Sequence, residues 1–271
     1  MKEQVLGSPF CKNEFLELVK IVSEQKITKY NNYAISDSSI VNIGNRDFVD
    51  YRPDIFIESK VLNDNNITNI ILDSLHFFQI QNLVEKIDFK TVKIKKSDLA
   101  VNLLLPKSYD EYLAGLTKKN RHELRRKKRK FDKENISYKL EESIEQDIFE
   151  IFISQHKTSK GEKGNFMTDM VESYFRNLLN LEGWKIYYTN TQKGIISTAF
   201  CYENENGCYL YNSSRNEEFD YINPGIILYD LIIQKLIERQ MNFFDFLKGT
   251  ERYKYDLGGD SVQLYDLTME L

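Results

Sequence analysis

Three short hydrophobic segments joined by tight turns constrain the fold more than any other part of the sequence. Residues 184–189, 195–202 and 208–213 have the length and composition of strands, and they are connected by the linkers NTQKG and ENENG. Such short, turn-forming linkers predict antiparallel neighbours in one sheet. An apolar helix at 225–239 and a strand at 242–247 follow. The pattern predicts a layered α/β protein with a mixed sheet flanked by helices.

The rest of the chain also alternates between helical and strand-like patterns. The periodicity predicts further helices at 15–25, 54–62, 77–87, 144–158 and 168–181. It predicts further strands at 33–43, 67–75, 91–105, 136–140 and 262–269. A chain of 271 residues is long enough for two compact domains. We place them at 1–107 and 108–271.

A dense run of positive charge occupies residues 118–133. It contains ten lysines and arginines against two acidic residues; because the whole chain carries −4, the other 255 residues carry −12. Apolar residues recur at helical spacing through 108–134, which predicts one amphipathic helix with Ser108 and Glu111 forming a capping box. The helix is predicted to bind an anion, since arginine grips phosphate with two parallel hydrogen bonds. A solvated basic face is the alternative. The candidate anion-binding residues are Arg121, Arg125, Arg126 and Lys128.

A second anion site is predicted where the apolar helix begins, at Asn223, Pro224 and Gly225. Asparagine is a preferred N-cap, proline fits the first helical turn, and glycine lets a ligand approach the backbone amides. A pyrophosphate would suit this turn, although a well-capped helix without a ligand has the same sequence. We expect this turn and the basic helix to converge on one cavity that holds a phosphorylated molecule.

Polar residues around the predicted strand at 242–247 are candidate catalytic groups. Asp245 interrupts an aromatic run in that strand, and Glu251, Tyr253 and Lys254 follow shortly after it. Together they offer a proton acceptor, a proton donor and a cation, a set that could deprotonate an amine and protonate a leaving thiolate or hydroxyl. Exposed loops also contain such residues by chance.

Histidine and cysteine spacing argues against a metal site. His156 falls near the end of the predicted helix at 144–158, where it is either a helix-end residue stabilised by the dipole or a base that faces the substrate. No His pair or Cys pair has ligand spacing, so no metal is expected. Cys11, Cys201 and Cys208 are expected to be reduced thiols.

Hydropathy sets the expected location. No stretch approaches 18 uncharged apolar residues, and residues 1–10 lack the apolar segment of a secretory signal. A soluble, cytoplasmic protein is therefore expected, with no membrane span.

The order of motifs along residues 101–255 resembles GNAT-type acyltransferases of the CelD-like family. Tyr112 and Leu113, a threonine-containing turn and the basic helix are similar to that family's first signature. His156, the Pro224-Gly225 pair and the run DFLKGTERYK then follow in the family's order. The run of three antiparallel strands, a helix and another strand is also the layout of the acyl-CoA-binding half of a GNAT fold. The chain departs from the family where KTSKGEKGNF replaces a tryptophan-containing segment, and it lacks the glycine-rich pyrophosphate loop of simple GNATs.

The resemblance implies two tandem GNAT-like halves, the first of them degenerate, and a relationship to Fem-type aminoacyl transferases. It implies N-acyl transfer from acyl-CoA, such as acetyl-CoA, to a small-molecule amine. An amino sugar, free or nucleotide-linked, in cell-envelope or polysaccharide synthesis is the expected acceptor. Donor binding then falls to Asn223, Pro224, Gly225 and Tyr211, and catalysis to Asp245, Glu251, Tyr253, Lys254 and His156.

Two other functions are compatible with the same residues. In the first, the donor is an aminoacyl-tRNA and the basic helix binds the RNA backbone. In the second, the chain is a non-enzymatic protein that binds nucleic acid or an anionic membrane through the basic run alone. The strongly acidic remainder of the chain argues against the second function, because it would repel an extended polyanion.

Overall fold

The computed structural model describes residues 2–271, and the side chains of residues 2, 3, 162 and 163 lie outside that description. The helices are α1 (Lys2–Leu6), α2 (Asn13–Val22), α3 (Ser59–Asp64), α4 (Phe77–Val84), α5 (Tyr109–Gly115), α6 (Lys118–Lys133), α7 (Gln146–Lys157), α8 (Glu162–Phe166), α9 (Asp169–Leu179), α10 (Pro224–Glu238) and α11 (Arg252–Asp256). The strands are β1 (Thr28–Tyr30), β2 (Tyr33–Ser36), β3 (Ser39–Val41), β4 (Asn69–Leu75), β5 (Thr91–Leu104), β6 (Tyr138–Ser143), β7 (Trp184–Thr191), β8 (Gly194–Glu203), β9 (Gly207–Arg215), β10 (Phe243–Lys248) and β11 (Asp260–Glu270). Two 3₁₀ turns lie at Pro9–Cys11 and Glu217–Ile222.

The chain divides into two compact units. Unit 1 comprises Met1–Ala100 and Ser261–Leu271, and unit 2 comprises Val101–Asp260. The predicted division at 107/108 therefore differs from the observed one, most of all at the C-terminus. The last strand belongs to unit 1 because β11 pairs antiparallel with β4 over much of its length. The assignment of residues 1–107 as a degenerate GNAT-like half stays a prediction.

Unit 1 is built on a mixed sheet with the strand order β1-β2-β3-β4-β11-β5. β3 and β4 run parallel, whereas β1 with β2, β2 with β3 and β4 with β11 are antiparallel. Ile70 and Leu72 of β4 bury their side chains together with Ile80 and Leu83 of α4. Ile71, between them in β4, points to the opposite face and is 48% exposed, which leaves that face of the sheet accessible.

Unit 2 begins at Val101, within β5, so the end of this strand belongs to unit 2. The strand order of unit 2 is β5-β10-β9-β8-β7-β6. β7, β8 and β9 are antiparallel neighbours, as the short linkers predicted; β6 also pairs antiparallel with β7, and β10 pairs parallel with β9. α10 buries Leu228, Ile232 and Leu236 on one face of this sheet. Phe152 of α7 and Phe175 of α9 pack against Phe200 on the other face. The predicted fold class, a mixed sheet flanked by helices, is confirmed.

The predicted single helix at 108–134 is wrong, because the chain breaks between α5 and α6. Leu116 is extended, and Thr117 starts a new helix by accepting a hydrogen bond from Asn120 N at 3.1 Å. Ser108 caps α5 as predicted, accepting from Glu111 N at 3.2 Å. The capping box is incomplete, however, since Glu111 Oε2 accepts from Lys107 N instead of from the cap residue.

Short elements account for most other differences from the predicted pattern. The predicted helix at 54–62 is confined to Ser59–Asp64, and the predicted loop at 159–165 contains the start of α8. α8 and α11 have five residues each, fewer than two helical turns, so they leave no periodic signal. Among the described residues no helix is long and apolar enough to cross a bilayer.

Candidate functional site

A cavity of about 250 Å³ opens in unit 2 where α10 begins. β9, the turn Glu217–Ile222, the start of α10 and the short helix α11 all contribute to its walls. The lining includes Ser213, Arg215, Asp220, Asn223, Gly225 and Tyr253. Three of the four predicted donor-binding residues, Asn223, Pro224 and Gly225, therefore lie together at this cavity.

The first turn of α10 leaves backbone donors uncapped. Asn223 stands at the N-cap position, but it adopts the left-handed conformation (φ 61°) and its side chain makes no capping hydrogen bond. Within residues 2–271 no acceptor bonds the amides of Gly225 or Ile226, and both residues line the cavity. A β-carbon added at Gly225 would have no neighbour within 4 Å, so the space in front of the helix is open. Free amides at a positive helix end form an anion site.

The basic helix reaches this turn through Lys130. Its Nζ donates to Tyr221 O at 2.6 Å and lies 3.4 Å from Asn223 Oδ1. α6 and the start of α10 are therefore adjacent, as expected, but the residue that joins them was not among the four predicted cations. Its neighbour Phe131 is fully buried, and the sequence shows only that Phe131 belongs to the apolar stripe of the helix, which does not single out Lys130.

Lys128, predicted to bind an anion, is instead neutralised within unit 2. Its Nζ lies 2.5 Å from Asp230 Oδ2 of α10 and donates to Tyr109 Oη at 2.8 Å. Tyr109 Oη in turn donates to Asp230 Oδ1 at 2.7 Å. Asp230 is fully buried, so this carboxylate needs its cation. The triad joins α5, α6 and α10, and it gives Lys128 a structural contact rather than a ligand.

The three predicted arginines also lie away from the cavity. Arg121 Nη1 donates to Leu113 O at 2.9 Å and so satisfies the end of α5. Arg126 pairs with Glu123 at 2.8 Å on the surface. Arg121 and Arg125 line a surface depression of about 590 Å³ at the start of α6, together with Lys118 and Lys119. The predicted cations therefore do not form one site.

Two stacked tyrosines form one wall of the cavity. The rings of Tyr253 and Tyr229 lie 5.1 Å apart at 24°. Tyr229 Oη donates to Ser213 Oγ at 2.7 Å. Burial, and then the neighbouring Tyr229, raises the pKa of Tyr253 far above its ordinary value, so this phenol keeps its proton at neutral pH. Sequence reasoning identified Tyr253 but missed Tyr229 and Ser213.

A β-bulge in β9 explains how Ser213 enters this wall. Cys201 pairs with Leu210 and Phe200 with Asn212, which leaves Tyr211 as the extra residue. Tyr211 and Asn212 both face the aromatic layer, so Ser213 lies on the same face as α10. Bulges next to active sites re-aim side chains in this way.

Tyr211 and His156, predicted as site residues, lie on the aromatic face of the sheet. Tyr211 Oη is 2.9 Å from Tyr174 Oη, and its ring packs on Trp184. His156 is 1% exposed, and its Nε2 lies 2.8 Å from Asn212 Oδ1. Neither residue lines the α10 cavity, and their predicted roles in donor binding and catalysis stay predictions.

Asp245, Glu251 and Lys254 do not line the cavity either. Lys254 is 2% exposed, and its Nζ donates to Lys248 O at 2.5 Å and pairs with Glu251 Oε2 at 3.0 Å. Asp245 Oδ1 accepts from Leu247 N at 2.8 Å, next to the left-handed backbone of Leu247 (φ 59°). These contacts hold the turn between β10 and α11, which carries Tyr253. The carboxylate that does line the cavity is Asp220, paired with Arg215 at 2.5 Å.

Metal binding receives no support from the described part of the chain, where no group of three or more His, Cys, Asp or Glu side chains is placed to hold an ion. The three cysteines are free thiols, and Cys201 and Cys208 are buried.

Comparison with known proteins places the chain in a family. The family model of the acetyltransferase (GNAT) domain matches residues 118–255. A search of curated proteins finds no significant match. The solved structures that resemble this chain include a conserved protein of unknown function from Bacteroides thetaiotaomicron, with a TM-score of 0.62 and 11% identity over 97% of this chain and 92% of that one.

Two similar structures carry functional names. L-PGS from Bacillus licheniformis has a TM-score of 0.60 and 12% identity over 94% of this chain and 87% of that one. FemX has a TM-score of 0.59 and 12% identity over 89% of this chain and 82% of that one. At this level of identity the likeness shows a shared fold.

Proposed function

Because the acetyltransferase (GNAT) domain covers residues 118–255, the chain belongs to that family, and we propose that it moves an acyl group from acyl-CoA to the nitrogen of an amine. The general activity, transfer of an acyl or aminoacyl group, follows from the family. The donor and the acceptor are the proposal. The observation that carries it is the uncapped first turn of α10, which opens into a cavity that is also lined by the half-buried phenol of Tyr253.

The start of α10 supports the choice of a pyrophosphate-bearing donor. The amides of Gly225 and Ile226 are free to donate, and the open space at Gly225 lets a phosphate approach them. Lys130 adds a cation beside Asn223, in a position that compensates for the missing glycine-rich loop. Amides, helix dipole and cation together favour a dianionic group over a neutral one.

Tyr253 is proposed as the proton donor to the leaving group. The donor supplies a thioester carbonyl; a neutral amine attacks it, the C–N bond forms and the C–S bond breaks to release a thiolate. The Tyr253 phenol is protonated at neutral pH and lines the cavity, so it is positioned to donate its proton to the thiolate. The amine loses a proton in the same step. The hydroxyls of Ser213 and Tyr229 can pass that proton back to Tyr253.

The acceptor is proposed to be a small amine, such as an amino sugar used in cell-envelope or polysaccharide synthesis. This part rests on the resemblance of residues 101–255 to CelD-like acyltransferases. Release of free thiol from acetyl-CoA in the presence of amino sugars, nucleotide-linked amino sugars and amino acids tests it. Turnover with none of these amines would contradict the acceptor class.

Binding of CoA tests the donor directly. We expect acetyl-CoA and CoA to raise the melting temperature of the wild type, since a ligand that binds the native state stabilises it. Gly225→Asp should fold, because its new side chain meets open space at a helix start that favours a carboxylate, but it should lose the shift by repelling phosphate. Gly115→Asp, which introduces the same charge into another open position, should keep it. A wild type that responds to no CoA species would rule out the proposed donor.

An aminoacyl-tRNA donor is the second candidate. It is supported by the cation-lined depression at the start of α6, where Lys118, Lys119 and Arg125 are exposed. The fold is also shared with FemX. RNA binding would fall steeply with added salt, and Lys118→Ala/Lys119→Ala would lower that salt slope by roughly one to two units. Gly225→Asp would leave RNA binding unchanged, which separates the two donors.

A further inference from the structure

Unit 1 contains a second, larger cavity that the proposed transferase site does not use. Its volume is about 620 Å³, within the range of small-molecule sites. The floor is the accessible face of the unit 1 sheet, opposite α4, and includes Val41 of β3, Ile71 of β4 and Thr268 of β11. Lys93 and Lys95 of β5 line the same cavity, as the alternation of side chains along a strand requires.

Buried hydrogen bonds hold the walls of this cavity in place. Arg52 is 1% exposed, and it donates to Asp73 Oδ1 at 2.8 Å, to Ile43 O at 2.8 Å and to Gly44 O at 3.2 Å. Gln25 Oε1 accepts from Gly44 N at 2.6 Å, which fastens the same loop to the segment after α2. The cavity is therefore formed before any ligand arrives, and a ligand would bind without ordering these groups first.

The acidic side chains of the cavity already have cationic partners. Asp73 is paired with Arg52 at 2.8 Å, and Asp266 lies 3.7 Å from Arg46. Lys93 and Lys95 have no ion pair within residues 2–271, and both are exposed. The charge left to attract a ligand is therefore positive.

Asn42 provides an independent polar feature of this cavity. It is 6% exposed, lines the cavity, and accepts a hydrogen bond from Asp73 N through Oδ1 at 2.7 Å. Its buried Nδ2 has no hydrogen-bond partner within residues 2–271. Buried donors in native proteins are nearly always satisfied, so an oxygen of a bound water or of a ligand is the expected acceptor.

We propose that the unit 1 cavity binds a small phosphate monoester or diphosphate. Its phosphate lies against Lys93 and Lys95, a neutral oxygen accepts from Asn42 Nδ2, and its apolar surface covers Ile71. β3 and β5 are three strand spacings apart in the order β3-β4-β11-β5, about 14 Å, so the ligand is longer than free phosphate even after the side chains reach inwards. A phosphorylated sugar has this size and both kinds of oxygen. Its lining shares no residue with that of the proposed acyl-transfer cavity.

The test uses the full chain with labelled isoleucine methyl groups, titrated with pyrophosphate and with glucose 6-phosphate. We expect both probes to shift the Ile71 methyl resonance in a saturable way, and uncharged glucose to leave it unchanged. Lys93→Ala/Lys95→Ala should weaken both probes by about tenfold or more, because two charge-assisted contacts are lost. Lys96→Ala, next to Lys95 but on the other face of β5, should weaken them less than about twofold.

A variant at Asn42 tests the contact with the neutral part of the proposed ligand separately from the contact with its phosphate. Asn42→Ala should weaken glucose 6-phosphate several-fold and pyrophosphate little, since pyrophosphate is too short to reach both ends of the cavity. An Ile71 resonance that neither probe shifts would overturn the proposal. Equal weakening by Lys96→Ala would also overturn it, as would an equal response to succinate, which lacks phosphate. Gly225→Asp should leave all these results unchanged, so failure here is distinguishable from failure of the CoA proposal.

Discussion

At the residue scale, burial decides which polar groups are free to do chemistry. Lys254 and Lys128 are both predicted from the sequence to be functional cations. In the structure Lys254 donates to the backbone oxygen of Lys248, and Lys128 forms an ion pair with Asp230. Tyr253 keeps a place at the cavity and gains a raised pKa from the same burial. Burial depends on distant contacts, which no local spacing reports, and this is why the internal partners of the two lysines could not be predicted from the sequence.

Replacing Tyr253 tests its assignment as proton donor. Tyr253→Phe keeps the ring stacked on Tyr229, so the fold and CoA binding should persist while acyl transfer slows by about 10²-fold or more, the usual contribution of a positioned acid. Steady-state kinetics with acetyl-CoA and an accepted amine measure this. The loss should appear in kcat, with the melting-temperature shift by CoA preserved. Tyr255→Phe, in the same short helix but absent from the cavity lining, is the matched control.

His76 gives unit 1 a predictable response to acid. The side chain is 3% exposed, and burial lowers its pKa from 6.5 to about 4. Above pH 6.5 both folded and unfolded chains leave it neutral, so it makes no difference to stability. Below that, the unfolded chain binds the proton more readily, and the free energy of unfolding should fall by up to about 3 kcal/mol as pH drops from 6.5 to 4.

Urea unfolding at a series of pH values measures this effect. His76→Phe should remove much of the pH dependence between 6.5 and 4, whatever it does to the stability at neutral pH. His122→Gln changes a histidine whose side chain is 69% exposed, and it should leave the dependence as in the wild type. An unchanged slope in His76→Phe would mean that other groups carry the acid response.

At the element scale, the contacts between α5, α6 and α10 determine what the basic helix can do. α5 and α6 were predicted as one helix because their apolar spacing is continuous, and only the caps at Ser108 and Thr117 reveal the break. The break lets Tyr109 approach Asp230, where it meets Lys128. Lys130, two residues on, then lies beside the start of α10. The ion pair of Lys128 with Asp230 thus helps to hold Lys130 beside the cavity.

Breaking this pairing should destabilise the helices that border the cavity. Lys128→Met leaves Asp230 buried without its cation, which typically costs about 3–5 kcal/mol. The double variant Lys128→Met/Asp230→Leu should recover much of that loss, because it buries no charge. Chemical denaturation of the two variants and the wild type measures the difference. Arg129→Met, next to Lys128 and exposed, should change stability by less than about 0.5 kcal/mol.

At the scale of the whole molecule, the sequence predicted the layers but not their division. Alternation and turn chemistry identified β7, β8, β9, α10 and β10, since each has a strong local pattern. The bulge at Tyr211 and the pairing of β11 with β4 depend on partners far along the chain, and neither leaves a local signal. The cavity at α10 was therefore anticipated from its turn, whereas its tyrosine wall and the boundary of unit 1 were not.

The last strand, β11, contributes a buried leucine to the core of unit 1, and replacing it should destabilise that unit. Leu267 is fully buried and pairs with Leu72 of β4, so it completes the core shared with α4. Leu267→Ala should lower the free energy of unfolding by about 2–5 kcal/mol through lost burial and a cavity. Thr268→Ala, whose side chain is exposed on the other face of the same strand, should cost much less.

Hydrogen exchange locates the effect of Leu267→Ala. Because β11 and β4 belong to the same compact unit, protection should fall across β3, β4 and β11 together, although nearly all of unit 2 and part of unit 1 lie between them in sequence. Protection in β7, β8 and β9 should fall much less. A loss confined to the last strand would show that β11 is an accessory edge and that residues 1–100 form their core without it.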